Sequence, residues 1–178
     1  MNEKELYQKF LDGDMRAFDS IVLNYKNGLI AFISRYVRDI ELAEDISQEV
    51  FVDFYLKKEK YNPKFSLKTY LYTIGKYKAI NYLKKLKHEM DIEELEIESE
   101  KNVEDEVILY EQNLELIQKI KRLRKNYEIA IYLADIEGFS YQEISKITNK
   151  TLAQVKINIH RARKALKTII EKEGEINA

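Results

Sequence analysis

Two helix-start signatures placed close together constrain this chain more than anything else in it. Ser140 and Glu143 form a Ser-x-x-Glu capping box, which predicts a helix from that point, with Ile144 and Ile147 on one face. Asn149 follows, a residue that tolerates the left-handed backbone a sharp stop needs. Thr151 and Gln154 make a second box, after which Leu152, Val155, Ile159, Ala162 and Leu166 recur at three- and four-residue steps as an inward seam. The stretch Phe139–Leu166 is therefore read as a helix-turn-helix. Lys156, Asn158, His160, Arg161, Arg163 and Lys164 are left on its outer surface. A basic face alone describes many solvated helices. The doubled capping at this spacing favours a helix that enters the DNA major groove by its N-terminal end, with cations meeting phosphates.

Composition bears on what surrounds this stretch. One Pro and five Gly in 178 residues predict a mostly helical chain, with room for one medium domain or two small ones. The absence of Cys excludes disulfides, thiolate metal sites and thiol catalysis. The opening MNEKELYQKF has no apolar run, and no stretch approaches the roughly 18 apolar residues of a membrane span, so a soluble cytoplasmic protein is expected. A net charge of -1 conceals a pattern: residues 1–86 sum to +3, residues 87–115 to -10 and residues 116–178 to +6. Nucleic-acid binding responds to local potential, so two basic blocks around an acidic one are compatible with it.

Earlier helices are predicted at residues 3–11 (Leu6, Phe10, Leu11 inward), from Met15 to Val37, and from Ile40 to Lys58 with Asp39 as cap. The third carries Glu41, Glu44, Asp45, Gln48, Glu49 and Asp53 opposite its core face, with Phe51 among them. Spacing alone favours a solvated acidic face over a partner's docking surface. Residues 59–65 read as a loop, and Ser66 starts a helix to about Lys87 with Leu67, Leu71, Ile74, Ile80 and Leu83 buried. Between Lys57 and His88 lie ten Lys and one acid, interleaved with Tyr61, Phe65, Tyr70, Tyr72, Tyr77 and Tyr82. Some of those rings belong in the core. Their density beside so much positive charge still favours a surface for melted DNA, where bases stack on aromatic faces for about 1–3 kcal/mol each.

The acidic stretch 88–104 reads as a linker. Helices are expected again at residues 105–122 and from about Asn126 to Glu137, the latter burying Ile129, Ala130, Leu133 and Ile136, with Gly138 ending it. The expected architecture is all-α: domain 1–87, linker 88–104, and domain 105–178 bearing the helix-turn-helix, in a winged-helix-like setting. Chemistry finds little purchase. There is no HExxH, Gly-rich phosphate loop or GxSxG, and His88 and His160 lie in unrelated contexts. No enzyme activity, metal or cofactor is expected.

With these residues in view, the chain resembles compact bacterial RNA polymerase sigma factors of the extracytoplasmic-function type, within the sigma-70-like family. AEDISQEVFVDFY (Ala43–Tyr55) and FSLKTYLYTIGKYKAINYLKK (Phe65–Lys85) look like that family's domain two; GFSYQEISKITNKTLAQVKINIHRARKAL (Gly138–Leu166) looks like its domain four. The resemblance implies that Asp45, Gln48, Glu49 and Phe51 dock on the beta-prime clamp of core polymerase. It implies that Tyr61, Phe65, Lys76, Tyr77, Asn81 and Lys84 capture the melted minus-ten element, the loop Tyr61–Phe65 holding a flipped base. Thr151, Gln154, Lys156, Ile157, His160, Arg161 and Arg163 would bind the duplex minus-thirty-five element, and their domain would also touch the beta flap. Such proteins are often held by an anti-sigma partner, commonly membrane-bound. The residues alone also admit a stand-alone helix-turn-helix regulator. Departures from the family pattern are Gly75-Lys76-Tyr77 for Ala-Arg-Asn, Asn81 for Asp, and Ala153-Gln154-Val155-Lys156-Ile157-Asn158 for Gly-Thr-Val-Lys-Ser-Arg.

Overall fold

Helix caps delimit the elements of the first half. In the computed structural model, which describes residues 2–89 and 114–176, α1 spans Glu3–Leu11, α2 Met15–Val37, α3 Ile40–Leu56 and α4 Leu67–Glu89. Asn2 and Glu5 close a capping box on α1. Gly13, at φ +97°, turns the chain, and the Asp14 carboxylate then accepts the Arg16 amide at 2.9 Å to start α2. Arg38 ends α2 in the left-handed conformation, and Asp39 caps α3 through the Leu42 amide at 3.0 Å. Ser66 Oγ accepts the Thr69 amide at 3.1 Å and opens α4.

The chain divides into two compact units, Met1–Tyr110 and Glu111–Ala178. In the first, α2 packs against α1, α3 and α4. Its sequence explains why: every residue from Leu29 to Val37 is buried, with Ser34 and Arg35 bonded to the Ala31 carbonyl among apolar side chains, so the stretch needs neighbours on several sides. Gly75 lets α4 approach it closely, since a Cβ there would stand 2.9 Å from Leu29 Cδ1. Phe32 stacks on Tyr72 at that contact, 4.9 Å between ring centres. Of the stripe predicted for α4, Leu67 and Leu71 are buried while Ile74, Ile80 and Leu83 are half-buried; Thr69, Tyr72, Gly75 and Ala79 complete the buried face.

In the second unit, α5 spans Leu114–Lys121, α6 Lys125–Ile131, α7 Tyr141–Thr148 and α8 Leu152–Ile176. Ile117, Ile120, Leu123, Ile131 and Ala162 form one buried cluster. The single helix predicted to Glu137 forms but is not α-helical throughout. After Ile131 it widens into a π turn, Tyr132–Ile136, closed by the Glu137 amide on the Tyr132 carbonyl at 2.9 Å. The extra residue per turn rotates Ile136 outward, so it is exposed rather than buried as expected. Leu152, expected in the inward seam, is exposed too, because it precedes the point where α8 meets the core at Val155, Ile159 and Ala162. No strand occurs among the described residues, so the helix-turn-helix has no β wing among them. Most of the linker 88–104 and the start of the helix expected at 105 lie outside the described residues.

Candidate functional site

Three surfaces carry the candidate residues, two on the first unit and one on the second. On α3, Asp45, Gln48 and Glu49 are exposed as expected. Phe51 is not: it is 6% exposed, turned into the core. Helical geometry accounts for this, since Phe51 lies one and four residues from the buried Val50 and Ser47, on the inward side. Its placement on the acidic face is therefore corrected. Exposed apolar residues that do share that face include Val52, 56% exposed, and Leu56, 70% exposed, continuing the line Glu41–Asp45–Gln48 at four- and three-residue steps. Their type gave no signal, because an aliphatic residue on a helix is more often inside than out.

Lys78 of α4 reaches across to this face. Its ammonium lies 3.1 Å from Glu49 and 3.0 Å from Asp53. The hydrogen bond from Lys78 is the main reason the Asp53 carboxyl titrates below its usual range. Burial opposes the charge on Lys78, but the bonds to Asp53 and Glu49 outweigh it and raise its pKa.

The second surface combines the loop after α3 with the outer line of α4. Tyr61 is 8% exposed. Its ring meets Tyr7 edge-on at 4.8 Å and Tyr70 at 5.3 Å, and its hydroxyl donates to the Phe65 carbonyl at 2.7 Å. Burial, and then the nearby Glu3 carboxylate, push the Tyr61 phenol up to about 12. Buried against these two rings, Tyr61 braces the loop and does not present its ring at the surface. Phe65 is half-buried, and Asn62, Pro63 and Lys64 form the exposed edge. Along α4, Tyr77 (65% exposed), Asn81 and Lys84 share one line at four- and three-residue steps, with Lys76 half-buried beside them.

Residues in α1 and α2 hold the loop in place, and sequence reasoning missed them. Tyr7 donates its hydroxyl to the Lys58 carbonyl at 2.7 Å. Lys58 in turn donates to the Phe10 and Leu11 carbonyls at 3.2 and 3.3 Å. The Glu3 carboxylate accepts the Leu67 amide at 2.7 Å and the Tyr25 hydroxyl at 2.8 Å. Glu3 thus supplies an acceptor for one of the amides that the first turn of α4 cannot satisfy internally. These partners lie far apart in the chain, and no local pattern announces them.

The third surface is the helix-turn-helix. Both capping boxes form: Ser140 Oγ accepts the Glu143 amide at 3.2 Å, and Glu143 accepts the Ser140 amide at 2.9 Å. Thr151 Oγ1 accepts the Gln154 amide at 3.2 Å, and Gln154 accepts the Thr151 amide at 2.9 Å. Asn149 takes the left-handed conformation at φ 55°, and Ser145 Oγ ties the turn by donating to the Lys150 carbonyl at 2.6 Å. Lys156, Ile157, His160 and Arg161 are exposed. Arg163 makes a two-point pair with Asp135 of the π turn, at 3.0 and 2.5 Å. The pair braces the domain while about half of the Arg163 side chain stays exposed. The hydrogen bonds it donates to Asp135 raise its already high pKa further.

Among the described residues, no cluster of His, Cys, Asp or Glu is arranged to hold a metal ion, and no helix is long and apolar enough to cross a membrane.

Comparison with known proteins gives matches on both units. The family description "Sigma-70 region 2" matches residues 21–89, and "Sigma-70, region 4" matches residues 113–166. The RNA polymerase sigma-H factor of Pseudomonas aeruginosa is 27% identical over 176 residues, covering 92% of this chain and 91% of that protein. The ECF RNA polymerase sigma factor SigW of Bacillus subtilis is 29% identical over 177 residues, covering 92% and 94%. Among solved structures, the sigma factor RpoE of Bartonella quintana, in complex with the anti-sigma factor NepR, superposes with a TM-score of 0.66 at 21% identity. That match covers 86% of this chain and 96% of RpoE.

Proposed function

This chain belongs to the sigma-70 family, as a sigma factor of the extracytoplasmic-function type, and on that premise we propose how its three surfaces divide the work of starting transcription. The observation that carries the proposal is the order of matches on one chain: a region 2 unit first, a helix-turn-helix region 4 unit second. A stand-alone operator-binding regulator would have no use for the first unit, so that alternative is set aside. The protein acts in the cytoplasm as a subunit of RNA polymerase, with no reaction of its own.

Asp45, Gln48 and Glu49 dock on the beta-prime clamp of core polymerase, and Val52 and Leu56 supply the apolar anchor that Phe51 cannot. Charged groups set approach and register, while a desolvated hydrocarbon centre contributes most of the affinity. Tyr77, Asn81, Lys84 and Lys76 line the path of the melted minus-ten strand, with the exposed Tyr77 ring available for stacking. Residues 62–65, held by Tyr61, Tyr7 and Glu3, form the rim over which an unpaired base leaves the stack. The helix-turn-helix takes the minus-thirty-five duplex, Lys156, His160 and Arg161 meeting the backbone beside α8, while its domain touches the beta flap. An anti-sigma protein of the kind seen bound to RpoE is the natural regulator, since covering either unit blocks holoenzyme assembly or promoter binding.

The test is reconstitution. Purified protein mixed with core polymerase and no DNA should co-elute in gel filtration, and the complex should start transcripts at defined sites that core alone ignores. Separate elution of the two would overturn the proposal.

A further inference from the structure

The minus-thirty-five surface has an unusual centre. On an α-helix advancing about 100° per residue, the line opposite the buried seam Val155–Ile159–Ala162 passes through Ala153, Ile157 and Lys164. Ile157 is 47% exposed in the middle of that line. Three polar side chains beside this line are engaged elsewhere. Thr151 and Gln154 cap α8 reciprocally, and Arg163 pairs with Asp135. What faces outward over the first turns is hydrocarbon, Ala153 and Ile157, flanked by Lys156, His160 and Arg161 and followed on the same line by Lys164, with no acid anywhere between Thr151 and Ile170. Such a strip suits a polyanion whose charged edges meet the flanks and whose floor offers an apolar group to the centre.

In the major groove only one base edge offers that group. Thymine presents its 5-methyl; every other edge presents hydrogen-bond donors or acceptors, which a buried aliphatic side chain would leave unsatisfied at a cost. We propose that Ile157, with Ala153 one turn before it, reads thymine by its 5-methyl group at the minus-thirty-five element. The reading rests on the assignment of the helix-turn-helix to that element. Ile157 is thereby a specificity determinant, and the surrounding cations supply affinity without sequence information.

Deoxyuridine tests this directly, since it differs from thymine by the methyl alone. Promoters are selected with reconstituted holoenzyme from a library randomised across the upstream duplex. Each thymine of the selected element is then replaced singly by deoxyuridine, and binding is measured for wild type, Ile157→Ala and Ile157→Val. Wild type should weaken about fourfold at one or two positions, the fold-change matching about 0.8 kcal/mol for one buried methyl. Ile157→Val, which keeps a branched hydrocarbon, should retain that sensitivity, and Ile157→Ala should lose it at the same positions. A selected element without thymine on either strand, or methyl sensitivity unchanged in Ile157→Ala, overturns the inference while leaving the minus-thirty-five assignment standing. If holoenzyme shows no sequence preference in the upstream duplex, that assignment fails first, and this inference with it.

Discussion

Leu56→Ala and Phe51→Ala should separate docking from folding. The two residues lie near each other on α3 and are both apolar, yet one is 70% exposed and the other 6%. Fully burying a Leu side chain is worth about 1.5–3 kcal/mol. Since most of Leu56 is bare in the free protein, about 1–2 kcal/mol remains to be gained against a partner, which is roughly 5- to 30-fold in affinity. Removing it should barely alter stability, because exposed substitutions fall within about 0.5 kcal/mol. Phe51→Ala instead empties a core position beside Val50 and Phe54, at a cost of about 3–5 kcal/mol. A small helical unit is stable by only about 5–15 kcal/mol, so its melting temperature should fall by more than about 10 °C. Far-UV circular dichroism melts give the stabilities, and anisotropy titration of labelled protein with core polymerase gives the affinities. The reasoning is refuted if Leu56→Ala binds core as wild type does. It is equally refuted if Phe51→Ala melts at the wild-type temperature.

Gly75→Ala should destabilise the first unit by about 1 kcal/mol in chemical denaturation. The gain in helix propensity, about 0.8–1 kcal/mol, is outweighed by about 1–3 kcal/mol of overpacking, because the new Cβ would meet Leu29 Cδ1 at 2.9 Å and Ile33 Cδ1 at 3.3 Å, both fully buried; a stabilised variant would contradict the close approach of α4 to α2. Asp53 has a lowered folded pKa, so its contribution is present above the ordinary carboxylate value of about 3.9 and disappears as pH falls through the lowered one. Asp53→Asn should therefore flatten the acid limb of a stability–pH curve, and an unchanged limb would remove the Lys78 pair as its cause. On minus-thirty-five duplex, Arg161→Ala should reduce the slope of log affinity against log salt by about one. Arg163→Ala should leave that slope intact while costing at most about 1 kcal/mol of stability, and a lowered slope would return Arg163 to the DNA surface.

What the sequence determined by itself was whatever is settled within one helical turn. Both capping boxes of the helix-turn-helix, the left-handed Asn149, the Asp39 cap and the bounds of α2 depend on groups two to four residues apart, and the structure forms them as read. The acidic residues of α3 were legible for the same reason, since charge and spacing fix which residues share a face. Only the tertiary structure decided the rest. Whether Phe51 or Val52 turns outward on α3 depends on which side α2 and α4 cover. Tyr61 became a brace because Tyr7 and Tyr70 close over it, and Arg163 became one because a π turn brings Asp135 within reach. Caps are local hydrogen bonds and can be read along the chain. Burial and pairing depend on which distant segment arrives, and no local pattern encodes that.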